Sequence, residues 1–239
     1  MDPLDNILYD KKFICAHCQH SFASKKVRLR RGRPYRRDPD FCEHYENHAE
    51  NPTLYHVVVC PECGYSCNES FRKGVPPQIE QLIEEKIAAN WTKKDYTGVR
   101  NIPEAIATYK LAIFTAGVRK ETHCVLAGLC LRLAWLYRYQ KKKAEEERFL
   151  RLALDEYEES YQTADYMKSS MSELMILYLL GELHRQLGDP AKALRYFSKV
   201  VEHPLKESDP KMAGLARDQW QTMREDMKKQ REAERDHAG

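Results

Sequence analysis

Eight cysteines are spread unevenly along the 239-residue chain, and six of them (Cys15, Cys18, Cys42, Cys60, Cys63 and Cys67) fall in the first 67 residues. The other two, Cys124 and Cys130, sit in an apolar helical pattern, where a thiol acts as a small hydrophobe. The density is too low for a disulfide scaffold, and a reducing cytosol leaves metal ligation as the natural use of the early six. The pattern is Cys15-Ala-His-Cys18, then 41 residues, then Cys60-Pro-Glu-Cys63-Gly64. Each C-x-x-C is a tight turn that aims two thiolates to one side. Two such turns brought together supply four soft ligands in a tetrahedron, about 2.3 Å from zinc. Cys15, Cys18, Cys60 and Cys63 are therefore expected to hold one structural zinc ion. With four protein ligands the site is closed, leaving no position for a substrate or an activated water. Gly64 suits a positive φ after the second knuckle, whereas Gln19 stands in the matching place of the first. The gap also exceeds the usual spacing of compact zinc sites, so an inserted hairpin or loop has to accommodate it.

Other chemistry is weakly represented. No βαβ pattern surrounds either C-x-x-C, which argues against a thioredoxin-like motif. Cys42, Cys67, His17, His20, His44, His48 and His56 remain as alternative or extra ligands, though each alone reads as a surface or packing residue. Cys42-Glu43-His44-x3-His48 is a conceivable second site, but it lacks a second knuckle. The chain has no G-x-S-x-G, P-loop, Rossmann glycine pattern or H-E-x-x-H. Cys42 beside a histidine is the one nucleophile candidate, and proximity in sequence is weak support for it. The expectation is a protein that is not an enzyme.

The elements that must position these residues change character near residue 75. Residues 1–75 read as a small β-rich, zinc-ribbon-like module. Phe13 and Cys15 share a strand face leading into the first knuckle, Lys26 to Arg30 alternate, and Leu54 to Val59 is β-rich after the Asn51-Pro52 turn signal. The polar stretch from Asp38 to Asn51 reads as a loop. From Pro76 the period becomes helical, with helices expected near 77–96, 102–117, 120–140, 143–167, 171–187, 190–203 and 210–235. Residues 76–239 thus read as an all-α, tetratricopeptide-like helical-repeat domain with a C-terminal capping helix.

The clearest repeat is Leu177-x2-Leu180-Gly181-x2-His184, followed by Ala193-x3-Phe197 and Pro204. Gly181 and Ala193 are small where two helices must cross. A partial unit reads Cys130-x2-Leu133-Ala134-x2-Tyr137, and its offset of 47 residues from the clear one exceeds the roughly 34 of a standard tetratricopeptide repeat. Stacked helical pairs make a concave surface, so a peptide or protein partner is expected. Trp135, Arg138 and Tyr139 in one unit, and Glu182 and Arg185 in the other, are the groove candidates, the two arginines receiving carboxylates. The bland alternative makes Trp135 core and the arginines solvated.

Composition narrows the partners. The net charge of +3 does not favour nucleic acid by default, and no apolar run exceeds eight residues, against about 20 for a membrane span. The start MDPLDNILYDKK lacks the basic and apolar regions of a secretory signal, which points to the cytoplasm and away from membranes. Residues 25–37 nevertheless carry eight basic residues and no acidic one. Lys26, Arg28, Arg30, Arg31 and Tyr35 are the candidates for a nucleic-acid surface. Against that reading, Asp38, Asp40 and Glu43 follow at once, and Glu145–Glu147 or Asp155–Glu159 offer acidic docking surfaces.

The combination Leu8-Tyr9-Asp10-Lys11, the two knuckles, Asp40-Phe41-Cys42 and Asn51-Pro52-x-Leu54-Tyr55 resembles a bacterial family catalogued as domain of unknown function 2225. The resemblance implies a cytoplasmic bacterial protein with zinc-binding knuckles and tetratricopeptide-like helices, and it attaches no catalytic activity. Only Cys15, Cys18, Cys60 and Cys63 carry over as ligands.

Overall fold

Two β-hairpins present the knuckles at their tips. The computed structural model describes residues 7–28 and 33–237, with side chains through Lys229. Strand β1 (Leu8–Ile14) pairs antiparallel with β2 (Ser21–Val27), from Leu8 opposite Val27 to Ile14 opposite Ser21. The first C-x-x-C therefore lies in the turn between them. Strands β5 (Val58–Val59) and β6 (Ser66–Cys67) pair in the same way around the second C-x-x-C. Between β2 and β5 a third hairpin is inserted, β3 (Arg36–Arg37) with β4 (Glu43–His44). That insertion accounts for the long gap between the knuckles.

Two local expectations need correction. The β-rich stretch 54–59 is mostly not strand. The Asn51 side chain accepts the Thr53 N–H and Pro52 opens a 3-10 turn over Pro52–Tyr55, which buries Leu54 and Tyr55 and leaves only Val58–Val59 extended. The polar stretch from Asp38 to Asn51 contains β4 and a second 3-10 turn, His48–Glu50, capped by Asn47. The alternating run from Lys26 enters β2 and leaves it at Val27; Leu29, Arg30 and Arg31 lie outside the described residues.

Seven α-helices follow among the described residues: α1 (Pro77–Lys86), α2 (Ile102–Arg119), α3 (His123–Tyr139), α4 (Lys143–Thr163), α5 (Glu173–Gln186), α6 (Pro190–Val201) and α7 (Pro210–His237). Their starts follow from local chemistry. Asn101 and Glu104 form a reciprocal capping box, while Ser172 and Asp189 cap α5 and α6. The first helix is shorter than its apolar stripe predicts. It ends at Lys86, a 3-10 turn Ala88–Asn90 follows, and Trp91 is extended. Trp91 serves the second knuckle rather than the helix, its indole N–H bonding Pro61 O at 2.9 Å. No helix among the described residues is long and apolar enough to cross a membrane.

The chain divides into two compact units, Met1–Glu156 and Tyr157–Gly239. Element type changes near residue 75, as the sequence pattern indicates, yet compactness does not divide there. Buried and half-buried arginines on and around the first helices explain the difference. Arg100 donates to Leu54 O at 3.0 Å and Val57 O at 2.7 Å. Arg119, 3% exposed, donates to the Tyr65 hydroxyl, Arg72 O and Gly74 O. Arg138 donates to Asp38 and Asp40. Each guanidinium gives carbonyls or carboxylates of the β-rich region a hydrogen-bond partner from the helical region. In the second unit the work is done by close helix crossing. A Cβ added at Gly181 of α5 would stand 2.7 Å from the Phe197 ring of α6.

Candidate metal centre

The two knuckles have nearly the same backbone. In the first, Cys15 N–H bonds His20 O at 2.9 Å and Gln19 N–H bonds Cys15 O at 3.1 Å. In the second, Cys60 N–H bonds Tyr65 O and Gly64 N–H bonds Cys60 O, both at 2.9 Å. Gly64 has φ +71°, and Gln19 takes φ +60° despite its side chain. The knuckle thus imposes the left-handed conformation that glycine fits and glutamine tolerates at a cost. Gly64 is required twice over, since a Cβ there would lie 2.4 Å from the Trp91 ring.

These turns bring Cys15, Cys18, Cys60 and Cys63 together, with all four sulfurs within 4.8 Å of one another. Cys15 and Cys63 are 3.6 Å apart, as are Cys18 and Cys60. A tetrahedron of metal–sulfur bonds about 2.3 Å long has edges of about 3.8 Å, so the sulfurs already stand at ligand spacing. This cluster could hold a metal ion. Cys15, Cys60 and Cys63 are buried with Tyr65, Ile83 and Ile87, and α1 supplies the apolar cover. Without a cation the thiols must share protons. The hydrogen bond from Cys63 holds Cys15 down to about 5 and raises Cys63, and burial pushes Cys60 up to about 11. Four thiolates at this spacing repel one another unless a cation stands among them. Cys67, buried enough to push its thiol up to about 11, packs against the cluster without joining it. His17 turns instead to Glu84 at 2.9 Å.

The groove candidates of the first unit are gathered, but around internal partners. Trp135 is 7% exposed, and its indole N–H bonds Asp40 Oδ2 at 3.0 Å. Arg138 donates to Asp38 at 3.0 Å, to Asp40 at 2.8 Å and to Glu146 at 2.7 Å. Tyr139 donates its hydroxyl to Glu43 O at 2.7 Å. Trp135 is core, as the bland alternative held, and Arg138 already has its carboxylates. In the second unit, Glu182 is fully buried and accepts from Arg185 at 2.6 Å.

Among its described residues, the basic segment is largely paired at short range. Lys25 meets Asp10 at 3.0 Å, Arg36 meets Asp38 at 3.2 Å, and Arg37 bonds Glu43. Lys26 donates to Tyr55 O at 2.8 Å, and the Arg28 guanidinium lies 5.0 Å from the Tyr9 ring. Tyr35 is 65% exposed. Asp40 does not neutralise this segment; it serves Arg138 and Trp135. Arg100, Arg119 and Trp91 are the positioning residues that sequence reasoning missed. A basic residue close to a helix end was the only signal, and it does not say which carbonyls that residue will reach.

A family model described as "Uncharacterized protein conserved in bacteria (DUF2225)" matches residues 8–223. Neither the curated proteins nor the solved structures give a match.

Proposed function

The chain belongs to the bacterial family DUF2225, whose description assigns no activity, and from that premise we propose a cytoplasmic, non-catalytic adaptor stabilised by one structural zinc ion. Four soft sulfur ligands at tetrahedral spacing favour zinc, and a filled ligand set leaves no place for catalysis. The partner is an acidic peptide segment of another protein, held by tetratricopeptide-like helical pairs.

The observation that carries the partner class is a cleft of about 150 Å³ in the second unit, lined by Glu158 of α4 and Lys192, Arg195, Tyr196 and Lys199 of α6. Its one carboxylate, Glu158, is bonded to the buried His184 at 3.0 Å. Lys199 lies over the Tyr161 and Tyr196 rings, 5.3 and 5.1 Å from their centroids. Three cations beside an aromatic wall suit carboxylates on a short apolar stem. Gly181 against Phe197, with Ala193 fully buried, is the small-residue crossing expected of a tetratricopeptide-like pair. Arg138, with its carboxylates already in place, gives up the role expected of it, and Arg185 already bonds the buried Glu182 through Nε and Nη2. The test is crosslinking capture from the native cell with the wild type and with Lys192, Arg195 and Lys199 all changed to Glu. Capture that is lost in the variant and weakened by salt supports the cleft; unchanged capture excludes it.

Nucleic-acid binding through the basic segment is the second reading. A hollow of about 340 Å³ favours it, lined by Tyr9, Lys26, Arg28 and the Lys11–Glu69 ion pair, along with the exposed Tyr35. Arg30 and Arg31 belong to the same run. A salt-dependent gel shift with RNA or single-stranded DNA, lost on replacing Arg28, Arg30 and Arg31, would put this reading first.

A further inference from the structure

The inserted hairpin gathers three different metal-ligating side chains apart from the four-cysteine cluster. With Arg37 opposite Glu43, residues 38–42 form the connecting turn. Phe41 at φ +70° and the 2.8 Å bond from Asp38 N–H to Cys42 O fold that turn tightly. One ligand atom each from Asp38, Cys42 and His44 consequently lies within 4.8 Å of the others. Cys42 is fully buried, while the Asp38 and His44 side chains keep 18% and 12% exposure. The set is therefore enclosed but reachable.

The hydrogen bonds at His44 cannot both be satisfied. Its Nε2 stands 2.9 Å from Arg36 Nη2, which can only donate, and 2.7 Å from Asp38 Oδ2, which accepts. The first contact needs a lone pair on Nε2 and the second needs a proton, and one ring nitrogen offers one or the other. A divalent cation between Nε2 and the Asp38 carboxylate uses the lone pairs of both. Arg36, with its side chain 60% exposed, gives up its 3.2 Å contact with Asp38 and turns toward water when the ion binds.

We propose that Asp38, Cys42 and His44 form a second, weaker site for a zinc-class divalent ion, with its fourth position open to water or an external ligand. A carboxylate, a thiolate and an imidazole are the mixed N/O/S donors that such ions accept. One carboxylate and one thiolate match the ion's two charges, while Asp40 and Glu146 set two carboxylates against Arg138 nearby. Arg138 also shares Asp38, which makes this site weaker than the four-cysteine cluster. His48 stays outside the set, with no ring nitrogen within 4.8 Å of all three ligand atoms.

The test is zinc titration of the metal-stripped full chain, followed by cobalt substitution. Two equivalents are expected in the wild type, the tighter removed by Cys63→Ser and the weaker by His44→Ala and by Asp38→Asn, with His48→Ala unchanged. The weaker equivalent should add a fainter sulfur-to-cobalt band than the tighter one, from one thiolate against four. Cys42→Ser is interpretable only if circular dichroism shows native helicity, so His44→Ala and Asp38→Asn carry the decision. A single equivalent at saturating zinc, lost in Cys63→Ser, overturns the second site and leaves the first standing. A second equivalent that persists in His44→Ala overturns the ligand set.

Discussion

Arg138 and Arg185 each lie in the last turn of a helix, α3 and α5, yet their surroundings differ in kind. Arg138 gathers Asp38, Asp40 and Glu146, two of them from the inserted hairpin. Arg185 meets Glu182, one turn back on its own helix. The first unit is joined by long-range polar contacts and a metal-ready cluster, because short hairpins and loops bury too little apolar surface to hold themselves. The second unit is helix on helix, closed by small residues under aromatic rings. A helical pattern alone does not say which kind of stabilisation a residue serves.

The largest expected effect follows from removing metal. Structural zinc contributes on the order of 10 kcal/mol of folding free energy in small cysteine modules. Chelation, or Cys63→Ser, should unfold the two knuckle hairpins and loosen α1, whose Ile83 and Ile87 pack on the cluster. Amide protection should collapse over residues 8–67 and persist in α5 and α6. Equal loss in both units would break the contrast.

Next is the arginine pair itself. Arg138→Ala leaves the fully buried Asp40 without its guanidinium, and breaking a buried ion pair costs about 3–5 kcal/mol. Arg185→Ala also strips the buried Glu182 of a partner, but Gln186 still donates to that carboxylate at 2.9 Å, and Arg185 is itself 35% exposed. A loss of about 1 kcal/mol is expected there. Urea unfolding of the two variants gives the comparison directly, and equal losses would mean that position in the last helical turn outweighs the hairpin contacts. A chain beginning at residue 76 should fare worse than either. It removes the acceptors that the β-rich region offers Arg100, Arg119 and Arg138, and α1 to α3 should lose fixed near-ultraviolet signals while α5 and α6 stay helical.

The parts of this arrangement differ in how far they could be read from sequence. Both knuckles were legible because a C-x-x-C turn is local and its ligands lie three residues apart. The helices were legible from their period, and the α5–α6 crossing from Gly181 and Ala193. The stretch 54–59 was not. Its β-rich composition is overruled by the Asn51 cap and Pro52, which fix a 3-10 turn first. The clamps made by Arg100, Arg119 and Arg138 were hidden for another reason. Their acceptors are mostly backbone carbonyls or acidic residues about 40 to 100 positions away, and nothing local marks them. For the same reason the compact units divide at Glu156 rather than near residue 75.

A smaller effect separates the two units by the space around their glycines. Gly64→Ala must adopt φ +71° and displace the Trp91 ring, which is itself fixed by its bond to Pro61 O. Strain and overpacking together should cost about 2–4 kcal/mol. Gly181→Ala meets the Phe197 ring in the same way but gains about 1 kcal/mol of helix propensity, so its net loss should be smaller. Thermal melts of both variants, loaded with zinc, would rank them. A larger loss at Gly181 would mean that helix crossing is the tighter constraint.

The smallest effect is one of sign. Gln19 holds φ +60° in the first knuckle, and its exposed side chain makes only a 3.4 Å bond to Ala16 O. Gln19→Gly removes the left-handed strain and should stabilise the zinc-loaded chain by about 1 kcal/mol, with slightly tighter metal binding. In α7 the opposite exchange should help. Gly214 has nothing within 4 Å of where a Cβ would stand, and a glycine in a helix interior costs about 1 kcal/mol against alanine. Gly214→Ala is therefore expected to stabilise the second unit by a similar amount and to leave zinc affinity unchanged. Melting temperature and chelator competition on the two variants separate these outcomes. If Gln19→Gly lowers stability or weakens metal binding, the glutamine is doing something in the knuckle beyond tolerating its turn. The symmetry of the two knuckles would then be one of backbone shape, with unequal roles for the residues that follow their second cysteines.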